Sequence, residues 1–199
     1  MPMRMGVFGG AFDPPHLAHA ALAKAAVANL QLDVLRVIPT GQAWHKARAL
    51  TPAKHRLAMA NLAFSELPQV IVDPRETERL GPSYTVDTLR ELKAQHPQAE
   101  LFLVIGEDQA QALQGWHEWQ QVLQLATICV AERADLMGAT PRFMTPKSLE
   151  SHFRRLPMPA MPISATDIRT RIAVHQSIAA LVFEPVARYI DDHHLYQTT

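Results

Sequence analysis

The sequence predicts an α/β fold: a doubly wound, mainly parallel sheet with helices at its C-terminal end. The first sign is alternation, because short strand-like apolar runs are separated by segments of helical periodicity. The second is the run Leu101–Ile105, which is apolar without interruption, as a strand buried on both faces must be. The third is the ending, where two helical segments follow one another with no strand between them.

Met5-Gly6-Val7-Phe8 reads as a buried strand that enters a tight turn at Gly9-Gly10. Asp13-Pro14-Pro15 reads as the capped first turn of an Ala-rich helix running to Asn29, since Asp caps helices and proline suits their first turn. Asp33–Ile38 is a second strand, stopped by Pro39. Strand, helix and strand then form a βαβ unit, which implies parallel pairing and a right-handed crossover. Thr51-Pro52 opens a helix that extends to Glu66, and Gln69–Val72 is a third strand. Tyr84–Gln95 carries Val86, Leu89 and Leu92 at helical spacing. After the Leu101 strand, Trp116–Leu125 reads as helix and Ala126–Ala131 as strand.

Arg133–Pro162 reads as loop, broken by Pro141, Pro146, Pro157, Pro159 and Pro162, and made locally basic by Arg142, Lys147, Arg154 and Arg155. This basic stretch is either a solvated loop or a lid that touches phosphate. Helices Thr166–Val174 and Glu184–His193 complete the chain. The expected organisation is one domain over residues 1–199, with a helical C-terminal part from residue 163.

Composition narrows the function classes. Nineteen Lys+Arg residues balance 19 Asp+Glu among 199, so the chain lacks the basic surplus of a general nucleic-acid binder. Hydrophobic residues make up 48%, enough for a buried core. No apolar run approaches the roughly 20 residues that span a bilayer. The Ala18–Ala28 stretch contains His19 and Lys24, unlike the apolar core of a signal peptide. A single cysteine, Cys129, excludes an intramolecular disulfide and fits a reducing compartment. The expectation is a soluble cytoplasmic protein that contacts neither membrane nor nucleic acid; self-association is left open.

Ligands of a doubly wound sheet bind beyond the carboxyl ends of its strands. Gly9-Gly10-Ala11-Phe12-Asp13-Pro14-Pro15-His16-Leu17-Ala18-His19 follows the first strand. Adjacent glycines let backbone approach a phosphate, and His16 and His19 share one face at a helix start, where anions are already favoured. The spacing is neither the dinucleotide fingerprint nor a P-loop, and it lacks the glutamate of a zinc H-E-x-x-H helix. From these residues alone, an anion site and an ordinary strand-to-helix turn with incidental histidines both remain open.

The run resembles the G-G-T-F-D-P-x-H-x-G-H signature of nucleotidyltransferases that adenylylate or cytidylylate small phosphorylated metabolites. Ile163-Ser164-Ala165-Thr166-Asp167-Ile168-Arg169 resembles their second element, I-S-S-T-x-I-R. Ser164 can cap the helix that follows, with Asp167 at the capping-box position. Further segments resemble the bacterial nicotinate-nucleotide adenylyltransferase family over nearly the whole length. They are Pro39–Lys46, Glu78–Leu89 with its Ser83-Tyr84-Thr85-Val86-Asp87-Thr88-Leu89, Gly106-Glu107-Asp108, Trp116 with Trp119, and Tyr189–Tyr196.

The resemblance implies a Rossmann-like nucleotidyltransferase fold. It also implies an enzyme that joins ATP to nicotinate mononucleotide with Mg²⁺, giving deamido-NAD and pyrophosphate in NAD biosynthesis. It further implies His16, His19, Lys46 and Arg169 as the catalytic set, with His19 donating to the α-phosphate. Gly9, Gly10, Ala11, Phe12, His16, His19, Gly106, Asp108, Ile163, Ser164, Thr166 and Arg169 would bind ATP. Lys46, Tyr84, Thr85, Asp108, Trp116 and His117 would bind the nicotinate nucleotide. The Mg²⁺ would ride on the ATP phosphates, with no dedicated protein cage.

Three positions depart from the family pattern. Ala11 stands for Thr or Ser, Ala165 for Ser, and Ala18 for Gly. Each lost hydroxyl is worth about 0.5–1.5 kcal/mol, which predicts weaker phosphate binding with activity retained. Adenylyl transfer to nicotinamide mononucleotide or phosphopantetheine, and a non-catalytic nucleotide-binding protein, are the alternatives.

Overall fold

In the computed structural model, residues 1–41, 50–133, 145 and 147–197 are described. Six strands form one sheet: β1 (Arg4–Gly10), β2 (Val34–Pro39), β3 (Val70–Val72), β4 (Glu100–Gly106), β5 (Thr127–Arg133) and β6 (Phe153–Met158). Their spatial order is β3-β2-β1-β4-β5-β6, and every pair is parallel. That is the doubly wound order, which reverses direction between β1 and β4. Helices α1 (Leu17–Leu30), α2 (Ala53–Phe64), α3 (Arg75–Glu78), α4 (Thr85–Gln95), α5 (Glu107–Ala112), α6 (Trp119–Leu125), α7 (Ala165–Ala173) and α8 (Glu184–Asp192) flank it.

Strand residues alternate between two cores because side chains alternate across a pleat. Met5, Val7, Leu101, Leu103, Ile105, Ile128 and Val130 join the core that α4 and α6 cover with Leu89, Leu92 and Val122. Phe8, Phe102, Val104, Cys129 and Ala131 point the other way, into a core shared with Ala23 and Ala26 of α1, and Met59 and Ala60 of α2. Both faces are therefore apolar, which is why the central strands read as unbroken hydrophobic runs. Ile168 of α7, with Val186 and Ile190 of α8, is buried in the α1 core, so the C-terminal helices pack on the sheet unit itself. Burial pushes the Cys129 thiol up to about 12, so it sits as an unreactive residue of this core.

Three expectations are corrected. Asp13, Pro14 and Pro15 do not begin α1; the helix starts at Leu17 with His16 as its N-cap residue. Asp13 is spent on a buried network described below, and a cis peptide joins it to Pro14. Gly9 and Gly10 end β1, paired with Ile38 and Pro39, and the turn comes after them. Within the stretch read as loop, Phe153–Met158 forms β6 on the sheet edge, where Pro157 is tolerated because one side of the strand is unpaired. Only Leu156 of β6 is buried, so the hydrophobic signal of a strand is nearly absent. Lys147 lies in a 3₁₀ turn and Arg154 and Arg155 lie in β6, whereas Arg142 is outside the described residues.

Candidate active site

The β1–β4 ladder pairs Arg4–Val7 with Glu100–Leu103. Beyond it, β1 stays paired to β2 as far as Gly10, and β4 stays paired to β5 as far as Gly106. The two central strands thus part at their carboxyl ends, and a crevice opens at the switch point. A Cβ placed on Gly9 or on Gly106 would meet nothing within 4 Å among the described residues. Backbone at both lips of the crevice is therefore open to close approach by a ligand.

The His16–His19 segment lines one side. His16 is buried, and its ring stacks on that of His19 at 3.7 Å and 23°. The His16 backbone N–H donates to His19 Nδ1 at 3.1 Å. Because Nδ1 accepts, the ring proton of His19 sits on Nε2, which fixes that nitrogen as the donor. Phe12 holds the turn before them in the left-handed region at φ 48°. Such a residue costs about 1–2 kcal/mol. Its buried ring offsets this by edge-to-face packing on Phe8, Phe64 and His19 at 5.4, 5.8 and 5.1 Å. Phe12 is 1% exposed, so its side chain is closed to a ligand.

Helix α7 is joined to this loop. Ser164 caps it as the sequence implies, accepting from the Asp167 N–H at 3.1 Å. The Asp167 carboxylate does not return the capping bond; it accepts from Arg171 Nε at 2.9 Å. Arg169 Nη1 donates to the Asp13 carbonyl at 2.8 Å, and Nη2 donates to Thr166 Oγ1 at 3.1 Å. The first of these bonds joins the two motifs across 156 positions of sequence. Ser164 and Thr166 are exposed, while Ile163 packs against the core.

A second group lies around the start of α4. Tyr84 is its N-cap residue, with Thr85 next, and the Tyr84 ring lies 4.3 Å from the exposed His117 ring at 34°. Trp116 is half-buried against the α4 core, and helix α6 begins at Trp119 instead of Trp116. Arg90 of α4 bonds the Glu118 carboxylate, tying the Trp116–Glu118 turn to α4. Asp108 is exposed in the first turn of α5, just past Gly106. Lys46 lies outside the described residues.

Several organising residues escaped the motif reading. Arg56 is 1% exposed and donates to three backbone carbonyls: Thr51 at 2.8 Å, Ala11 at 2.9 Å and Gly41 at 3.4 Å. It therefore binds the backbone of position 11 directly, where the family pattern has a hydroxyl residue and this chain has alanine. Burial lowers the Arg56 guanidinium from its ordinary value, and the nearby Asp13 carboxylate opposes this. A signal existed in the sequence: Arg56, Met59, Ala60 and Ala63 share one helical face, and the other three are apolar.

Glu76 is also buried and accepts from Thr88 Oγ1 at 2.7 Å. Burial pushes its carboxyl above the ordinary value, against the Thr88 hydroxyl, Arg79 and the Gly41 N–H. Gly41 sits tightly here, since a Cβ on it would lie 1.9 Å from the Glu76 carbonyl and 2.7 Å from Ser83 Oγ. Gly41→Ala is accordingly expected to destabilise the fold by about 1–3 kcal/mol, as overpacking does. Urea denaturation checks this, and a midpoint equal to that of the unmodified chain would contradict the packing described.

A doubly wound parallel sheet, with a histidine-bearing loop after β1 tied to a capped, arginine-bearing helix, defines an α/β protein of the Rossmann-like class. Residues 7–171 match the family described as Cytidylyltransferase-like. A protein of Albidiferax ferrireducens named "probable nicotinate-nucleotide adenylyltransferase" is 70% identical over 98% of both chains. One of the same name from Methylibium petroleiphilum is 45% identical over 97% of this chain and 92% of its own. The chain belongs to the nicotinate-nucleotide adenylyltransferase family, within the cytidylyltransferase-like group. A Plasmodium falciparum nicotinic acid mononucleotide adenylyltransferase, solved in complex with NaAD, shares the fold at a TM-score of 0.78. It is 20% identical over 98% of this chain and 97% of its own.

Proposed function

We propose that this enzyme transfers the adenylyl group of ATP to the phosphate of nicotinate mononucleotide, forming deamido-NAD and pyrophosphate. The observation that carries the reading is the Arg169–Asp13 bond, which sets α7 against the histidine loop at the open end of β1. Family membership at 70% identity supports the choice of substrates.

The nucleophile needs little activation. A phosphate monoester has a second pKa of about 6, so the acceptor is mostly a dianion at neutral pH. One of its oxygens forms a bond to the α-phosphorus, the bond from that phosphorus to the β-phosphate oxygen breaks, and pyrophosphate leaves with the electron pair. No general base is required; alignment and relief of charge repulsion are. His19 Nε2–H donates toward the α-phosphate as charge builds there, with His16 beside it. Arg169, the α7 N-terminus at Ser164 and Thr166, and the amides of Gly9–Phe12 hold the triphosphate. Lys46 takes the same charge.

The groups brought together here are chiefly donors (imidazole, guanidinium and amide), which suit phosphate better than a bare cation, so Mg²⁺ would be held through ATP and would supply charge neutralisation there. Asp108, just past the β4 end, accepts from a ribose hydroxyl. The start of α4 recognises nicotinate, because the amides of Tyr84 and Thr85 and the helix dipole favour its carboxylate. Trp116 and His117 flank the pyridine ring. Among the described residues no helix is long and apolar enough to cross a membrane. The lone buried thiol of Cys129 fits work in the cytoplasm.

The test is pyrophosphate release from Mg-ATP with nicotinate mononucleotide, nicotinamide mononucleotide or phosphopantetheine as acceptor. The first is expected to turn over at least tenfold faster than the second, because an amide gives the α4 amides no charge to bind. Faster turnover with either other acceptor would overturn the pocket assignment.

A further inference from the structure

The turn after α8 reaches into the histidine loop. Tyr196, in the left-handed region at φ 64°, donates its hydroxyl to Asp13 Oδ1 at 2.7 Å, across 183 positions of sequence. The other carboxylate oxygen of Asp13 accepts the Thr51 N–H at 3.3 Å, and its carbonyl accepts Arg169. Asp13 is 2% exposed. Its peptide unit is thus held from three directions: the α8 turn, the entrance to α2, and α7. His16 caps α1 three residues later, so the orientation of this one residue sets where Arg169 lies relative to the stacked imidazoles.

We infer that Tyr196 is a positioning residue for adenylyl transfer: its hydroxyl locks Asp13, and Asp13 fixes the spacing between Arg169 and the His16–His19 pair. The inference rests on the adenylyl-transfer reading. Burial and the adjacent Asp13 carboxylate raise the Tyr196 hydroxyl well above its ordinary value, so it stays a donor throughout the working range. The turn that presents it is built for rigidity. Leu195 and Tyr196 pack on the α1 core, and the Leu195 N–H closes on the Ile190 carbonyl at 3.0 Å. The hydroxyl is one lock on a geometry that must be correct only when charge moves to the leaving pyrophosphate. Its removal therefore acts on turnover more than on substrate affinity.

Tyr196→Phe, which leaves the ring in the core, is expected to lower kcat roughly tenfold, the effect of one hydrogen bond felt in the transition state, while KM for nicotinate mononucleotide changes less than twofold. Combined with Asp13→Asn, the losses are expected to be less than multiplicative, because the Tyr196 hydroxyl acts through the Asp13 carboxylate. Tyr189→Phe removes a hydroxyl that bonds His55 Nδ1 at 3.0 Å, at the α2–α8 contact, and is expected to leave kcat unchanged. Should Tyr196→Phe not fold, Asp13→Asn keeps the carbonyl used by Arg169 and is expected to show the same kcat-selective loss. Histidine-labelled NMR gives a readout without turnover, in which Tyr196→Phe must shift the His16 and His19 ring resonances. Unchanged kcat, a loss confined to KM, fully multiplicative losses, or unmoved ring resonances would each overturn the inference. An unmodified chain that makes no dinucleotide would instead overturn the reaction, while the ring resonances still decide whether Tyr196 sets the loop.

Discussion

His19→Ala is expected to lower kcat by about 10²–10³-fold, the cost of removing a preorganised donor from a developing oxyanion. The expectation follows from the tautomer. His16 N–H occupies His19 Nδ1, so the only proton on the ring is at Nε2. The imidazole is further fixed by stacking on His16 and by the edge of Phe12. A donor held this firmly costs little reorganisation when charge appears on the α-phosphate. KM for the acceptor is expected to move far less than kcat, because the contact strengthens in the transition state. Steady-state kinetics with Mg-ATP and nicotinate mononucleotide checks both. Wild-type turnover in His19→Ala would remove His19 from the reaction.

Arg56→Met is expected to cost about 3–5 kcal/mol of stability, the penalty for breaking a buried charge arrangement from one side. Methionine fills much of the stem volume but donates nothing. The carbonyls of Thr51, Ala11 and Gly41 then lose their donor, and the buried Asp13 carboxylate loses its compensating cation. Arg56→Lys keeps the charge but not the fork, so an intermediate loss is expected. Chemical denaturation measures both. A Met variant as stable as the unmodified chain would show that the Arg56 bonds organise nothing. Some activity should fall with stability, since Ala11 is part of the loop that carries the histidines.

What the sequence made legible follows from where information is local. The central strands were readable because both sheet faces are buried, so Leu101–Ile105 needed no partner to declare itself. The α7 cap was readable because Ser164 and Asp167 lie within one turn. Strand β6 was not, since its pairing with β5 carries it and Leu156 is its only buried residue. The start of α1 was misplaced because Asp13 and the prolines fit a helix cap locally, while the true partners of Asp13 are Tyr196, Thr51 and Arg169. The histidine pair and the Tyr84 helix were legible from spacing and periodicity, while the roles expected of them and of Arg169 came from motif resemblance. Arg56, Glu76 and Gly41, which brace the loops behind them, carry no motif, and only the face shared by Arg56 and Met59 hinted at burial.

The most direct measurement is a single reaction of the unmodified chain with Mg-ATP and nicotinate mononucleotide, read for both products at once. Equimolar pyrophosphate and deamido-NAD, each matching the ATP consumed, is the predicted result. ATP consumed without dinucleotide, or no ATP consumed by folded protein, would contradict adenylyl transfer as the function of this site.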